Sequence, residues 1–122
     1  LAQSDIVSLH CPLTLETRGL MNVERIARMK SGAYLINTAR GSVVESQALA
    51  AALNRGHLAG AAVDVFETEP PLDGNHPLLH AKNLIATPHV AFATHESMEK
   101  RAETVFNNLQ HWLNGQPVNL VL

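Results

Sequence analysis

Cysteine is almost missing from these 122 residues: Cys11 stands alone, which excludes an intrachain disulfide and any metal site built from several thiolates. Its expected place is a buried one, as a small apolar side chain. No apolar run approaches the roughly 20 residues needed to cross a bilayer. No basic segment followed by an apolar stretch opens the chain, as an export signal would. These absences point to a cytoplasmic setting with no membrane partner. Charge of one sign is not concentrated either. Nine Lys and Arg against eleven Asp and Glu are scattered singly, so there is no basic stripe to neutralise a phosphate backbone, and nucleic acid is excluded as a partner.

What is there is the composition of a globular domain, 46% hydrophobic with a mean hydropathy of zero. Four short apolar runs read as strands: residues 5–9, closed by Pro12; 33–37; 60–66; and 83–87, closed by Pro88. Between them lie helical signals. Asn22 caps a short stripe of Val23, Ile26, Ala27 and Met29, ended by Ser31 and Gly32. Residues 45–54 are rich in Ala and Leu, with Gly56 just beyond. A polar loop runs to about Lys82. From Thr94 or His95 to Asn114, Met98, Ala102, Val105, Phe106, Leu109 and Leu113 recur at spacings of three and four, predicting one long helix with a core-facing stripe. Strands alternating with helices imply right-handed crossovers and an α/β fold with a parallel sheet, covered on both faces. The chain opens at Leu1 without an initiator Met and enters a strand almost at once, which suggests that further chain lies upstream.

In a parallel sheet all the strand C-terminal ends share one edge, and ligands bind outside it. The residues delivered there are His10, Cys11 and Pro12; Thr38, Ala39 and Arg40; Asp64, Glu67 and Glu69; and Thr87 and His89. Singly, each has an ordinary explanation. Arginine caps helices or pairs with acids, glutamate in a loop is usually a solvated charge, and a loop histidine is usually a structural hydrogen bonder. Together, Arg40, Glu69 and His89 make a chemically complete set. The carboxylate can hold the imidazole in one tautomer and favour its charged form, and the imidazole can then donate a proton. The guanidinium can grip a carboxylate and polarise its carbonyl. Reduction of a 2-oxo acid needs these functions plus a hydride source that no side chain supplies. Asp64 sits in mid-strand between apolar neighbours, so it needs a partner, either the amide of a nicotinamide or backbone donors. Seven histidines invite a metal, but Pro77 and a loop setting deny His76 and His80 the helical face such a pair requires, so no metal site is assigned.

Four ordered blocks then carry a pattern: DIVSLHCPLT (5–14), MKSGAYLINTARG (29–41), GAAVDVFETEP (60–70) and TPHV (87–90). They resemble the D-isomer-specific 2-hydroxyacid dehydrogenases over nearly the whole chain. The resemblance implies a Rossmann-type NAD-binding domain present as its C-terminal part over residues 1–122, with 94–114 as a C-terminal helix. It implies an oxidoreductase moving a hydride between NAD(H), with NADP not excluded, and a small D-2-hydroxy or 2-oxo acid, acting as a homodimer. Arg40 would bind the substrate carboxylate and carbonyl, His89 would be the acid/base, and Glu69 its partner. His10, Cys11, Pro12, Thr17, Thr38, Ala39, Arg40, Asp64, His89 and Ala91 would line the nicotinamide side. Pro70 with Pro71, HPLL (76–79) and TPHVAF (87–92) look most like hydroxypyruvate, glycerate or phosphoglycerate dehydrogenases, although Phe92 stands where many relatives have glycine. The Gly-x-Gly-x-x-Gly turn that cradles pyrophosphate is not in these residues, nor is a substrate-binding domain, so the 122 residues alone are expected to be inactive. An alternative within the resemblance is a cofactor-sensing binding module of the C-terminal-binding corepressor type.

Overall fold

The computed structural model describes residues 1–69 and 72–121; Leu122 and the Pro70-Pro71 pair noted above lie outside the described residues. The chain divides into two compact units, Leu1–His89 and Val90–Leu122. In the first, β1 (Ile6–Leu9), β2 (Tyr34–Asn37), β3 (Gly60–Val63) and β4 (Leu84–Ala86) form one sheet in that order, every pair parallel. Helix α1 (Val23–Ala27) lies between β1 and β2, and α2 (Ser46–Asn54) between β2 and β3. Asn22 caps α1, its side chain accepting the Arg25 N–H at 3.0 Å. Gly56 follows α2 with φ +72°, a left-handed stop that a side chain would strain.

The register aligns Val7, Leu35, Ala61 and Leu84 in one row and Leu9, Asn37, Val63 and Ala86 in another. Both rows face α1 and α2. Ile26 from α1 and Leu49 and Leu53 from α2 are almost wholly buried there with Leu35 and Val43. Each such side chain contributes about 1.5–3 kcal/mol by leaving water.

Ile6, Tyr34 and Ile85 lie on the opposite face, which neither α1 nor α2 covers. Topology supplies the reason. The strand order advances in a single direction, and right-handed connections then deliver every crossover to the same face. Both β1 and β4 are edge strands of this sheet.

Two short 3-10 turns, Gly41–Val43 and Pro77–His80, occupy segments expected to be irregular. His76 caps the second, with Pro77 at its first position, where the missing N–H costs nothing. Strand β3 ends at Val63 rather than Phe66, which puts Asp64 just beyond the strand and not within it. Cys11 is partly buried against the core, not fully enclosed, because it lies past the end of β1.

The second unit is built on α3 (His95–Leu113). Thr94 caps it by accepting the Ser97 N–H at 3.2 Å, and Gly115 ends it at φ +70°. Its apolar stripe is present as predicted, but none of its residues is buried, since its own unit offers nothing for Met98, Phe106 or Trp112 to pack beneath. No described helix is long and apolar enough to cross a membrane.

Candidate functional site

At the C-terminal ends of β3 and β4 lies an open cleft of about 260 Å³ with largely apolar walls from Phe66, Leu72 and Leu79. Asp64, Glu69, Thr87 and His89 line it. Within it His89 Nδ1 stands 2.7 Å from Glu69 Oε2. A carboxylate only accepts, so the ring donates from Nδ1 and its Nε2 faces away from that bond. The two side chains are 41% and 38% exposed, which screens their attraction. The contact therefore orients the ring more than it stabilises the fold. His89 also holds a left-handed backbone, φ +57°, and its N–H donates to the Asp64 carbonyl at 2.8 Å. Such a conformation costs about 1 kcal/mol or more outside glycine and persists where neighbours enforce it.

Asp64 is buried, and the Thr87 hydroxyl donates to its Oδ1 at 2.5 Å. One of its partners is thus a hydroxyl from the adjacent strand end, which the sequence analysis did not name. Threonine directly after an apolar strand, beside a proline, was the available sign.

Arg40 lies on the β2 side of the edge and is not among the residues lining the cleft. Its Nη1 donates to the Ala39 carbonyl at 2.7 Å. The turn beneath it is fixed by Asn37, which is buried and doubly used: Oδ1 accepts the Ala39 N–H and Nδ2 donates to the Arg40 carbonyl, each at 3.0 Å. Sequence reasoning passed over Asn37, although an amide ending a buried apolar run calls for such partners. Next to it, Gly41 leaves no room for a side chain. A Cβ there would meet the Phe66 carbonyl carbon at 1.9 Å and the Glu67 nitrogen at 2.4 Å. The Arg40 turn and the segment leading to Glu69 are thereby pressed backbone to backbone.

The remaining expected residues sit around the β1 end. The His10 ring bonds the Ser8 hydroxyl at 2.8 Å. Thr17 donates to the Pro12 carbonyl and accepts the Thr14 N–H, both at 2.7 Å, closing the loop after β1. Thr38 is exposed and Ala39 buried. Ala91 belongs to the second unit.

Residues 1–91 match the family model described as D-isomer specific 2-hydroxyacid dehydrogenase, NAD binding domain. A hydroxypyruvate reductase from Blautia hydrogenotrophica is 48% identical over 121 residues, covering 99% of this chain and 37% of that protein. A glyoxylate reductase from Thermofilum pendens is 53% identical over 116 residues, covering 95% of this chain and 34% of its own length. The chain thus spans little more than a third of each of these two curated relatives. Among solved structures, the D-lactate dehydrogenase of Aquifex aeolicus complexed with NAD and lactic acid superposes with a TM-score of 0.82 at 40% identity, covering 95% of this chain and 39% of that one.

Proposed function

This chain belongs to the D-isomer specific 2-hydroxyacid dehydrogenase family, matching the model of its NAD-binding domain over residues 1–91, and from that premise we propose that the protein containing it reduces small 2-oxo acids with a nicotinamide cofactor. The observation that carries the proposal is the 2.7 Å bond between His89 Nδ1 and Glu69 Oε2 in the cleft. Glu69 fixes the ring so that Nε2 carries the proton delivered to the substrate carbonyl oxygen. Bound dihydronicotinamide supplies the hydride. In the reverse direction Nε2 takes the hydroxyl proton.

Arg40 grips the substrate carboxylate. One of its five N–H donors is held by the Ala39 carbonyl, which leaves the others for a bidentate contact. The donor set suits a nicotinamide. Asp64 is an acceptor at the same strand ends, beside Ala86 and Thr87 in the lining of the cleft. His10, Cys11, Pro12, Thr17 and Thr38 complete that side. Hydroxypyruvate and glyoxylate are the substrates to try first, since relatives carrying those names are about half identical to this chain. The curated relatives are nearly three times as long, and we assign the pyrophosphate turn and the opposite wall of the cleft to the remainder of the protein.

The test is NADH oxidation by the full-length protein with hydroxypyruvate, glyoxylate and pyruvate. Removing a general acid costs about 10²–10⁴-fold in turnover, so His89→Ala should fall by that factor, and Glu69→Gln should fall less. Undiminished turnover in His89→Ala, with the fold intact, would refute the assignment.

A further inference from the structure

Two residues before Glu69 lies a second carboxylate that the proposed chemistry does not use. Glu67 Oε1 accepts the hydroxyl of Ser46, the first residue of α2, and its Oε2 stands 3.1 Å from His76 Nε2. Ser46 is buried and the His76 side chain is only 13% exposed. Leu78 N–H points at His76 Nδ1 at 3.4 Å, so the neutral ring carries its proton on Nε2, toward Glu67. The ring also meets Phe66 edge-on, with centroids 5.4 Å apart. Burial pushes the Glu67 carboxyl up, but the bonds from Ser46, its own backbone N–H and His76 outweigh that and hold it below the usual carboxylate range. It is a charged hub joining three separate stretches of chain.

What makes the hub consequential is the segment it holds. Residues 65–69 form no helix or strand and make no backbone-to-backbone hydrogen bond to another described residue. Val65 is buried and Phe66 packs on the core, and beyond them the segment is held by the close approach of Phe66 and Glu67 to Gly41 and by the side-chain bonds of Glu67. Glu69 follows two residues beyond the last of them. We propose that Ser46, Glu67 and His76 form a clasp of positioning residues that sets Glu69, and through it the tautomer of His89.

The clasp rests on Glu69 and His89 being the acid/base pair, and its test separates the two claims. In the full-length protein Glu67→Ala is compared with Glu67→Gln, whose amide oxygen can still accept from His76 Nε2 while its NH2 donates to the Ser46 hydroxyl, a group that both donates and accepts. Should Glu67→Ala fail to fold, His76→Leu takes its place. The His89 tautomer is read from two-bond proton–nitrogen correlations in alkaline solution, and hydroxypyruvate reduction is followed in parallel. The wild type and Glu67→Gln should show one His89 tautomer protonated on Nδ1. In Glu67→Ala the tautomers should mix while kcat drops about tenfold or more, since misplacing a reacting group by 1 Å costs up to about 10²-fold; KM for NADH should stay within about twofold. An alanine variant that folds and keeps both the tautomer and the turnover overturns the clasp. A wild type that shows the pinned tautomer without any turnover refutes the dehydrogenase assignment, and the clasp then stands if the alanine variant releases the ring.

Discussion

Replacing Gly41 by alanine perturbs the proposed site from outside it. The added Cβ would lie 1.9 Å from the Phe66 carbonyl carbon and 2.2 Å from its oxygen, against an ordinary contact of 3.4 Å or more. One of the two backbones must therefore move by about 1.5 Å, because neither is the free end of a side chain. Overpacking of this kind costs about 1–3 kcal/mol. The displacement falls on the segment that carries Glu69 three residues beyond Phe66, so the 2.7 Å bond to His89 should break or lengthen. Two readouts follow for the full-length protein. Its melting temperature should drop by several degrees, and reduction of hydroxypyruvate should fall about 10²-fold, the scale expected for a misplacement of about 1 Å. Ordering makes the case sharper: turnover should be lost at temperatures where circular dichroism still reports a folded protein. A Gly41→Ala protein with wild-type melting and wild-type turnover would refute the close approach as a coupling between the two loops.

Three further outcomes follow from bonds already described. Asn37→Ala removes the acceptor for the Ala39 N–H and the donor to the Arg40 carbonyl, and should destabilise by about 1–3 kcal/mol in urea titrations while raising KM for the 2-oxo acid more than KM for NADH. Thr87→Val keeps the volume but takes away a hydroxyl bond from buried Asp64; a loss of about 1–3 kcal/mol and weaker nicotinamide binding in fluorescence titration are expected, and unchanged values would exclude that bond as a contributor. Because the Glu67 carboxyl is held below its ordinary value of 4.5, its contribution to stability is fully present above that pH and is lost as the solution is acidified through the lowered folded value. Glu67→Gln should flatten that part of the acid unfolding curve and leave stability at neutral pH far less changed.

Elements written in local chemistry were legible from the sequence. The cap at Asn22, the stop at Gly56, the helix start at Thr94 or His95 and the four apolar runs all appear where side-chain spacing put them, to within a few residues. The pairing of Glu69 with His89 was an expectation from chemistry, and their side chains do meet across twenty positions. Features set by topology were not legible. Alternation along Tyr34–Asn37 is the same whichever face α1 and α2 take, and only the unreversed strand order puts both on one side. The stripe on α3 likewise shows that a face is apolar without showing what meets it. Ser46, Glu67 and His76 come from three stretches of chain with no shared periodicity, so their union is invisible before folding. Gly41 looked like an ordinary residue after a strand end; its necessity comes from a backbone twenty-five or so residues away, a separation at which sequence pattern carries no contact information.

The unreversed order of the strands also bears on how the sheet assembles. Each of β2, β3 and β4 pairs with the strand before it in the chain, at separations of roughly 25 residues, so loop-closure entropy for these three pairings is met in small, similar steps. During synthesis β1 and β2 can pair around α1 before β3 has been made, and β4 adds last, bringing Thr87 and His89 to the edge. Of these four strand ends, the one carrying His89 is then the last to join. Substitutions in β4 should mainly accelerate unfolding, whereas those in β2 should slow folding.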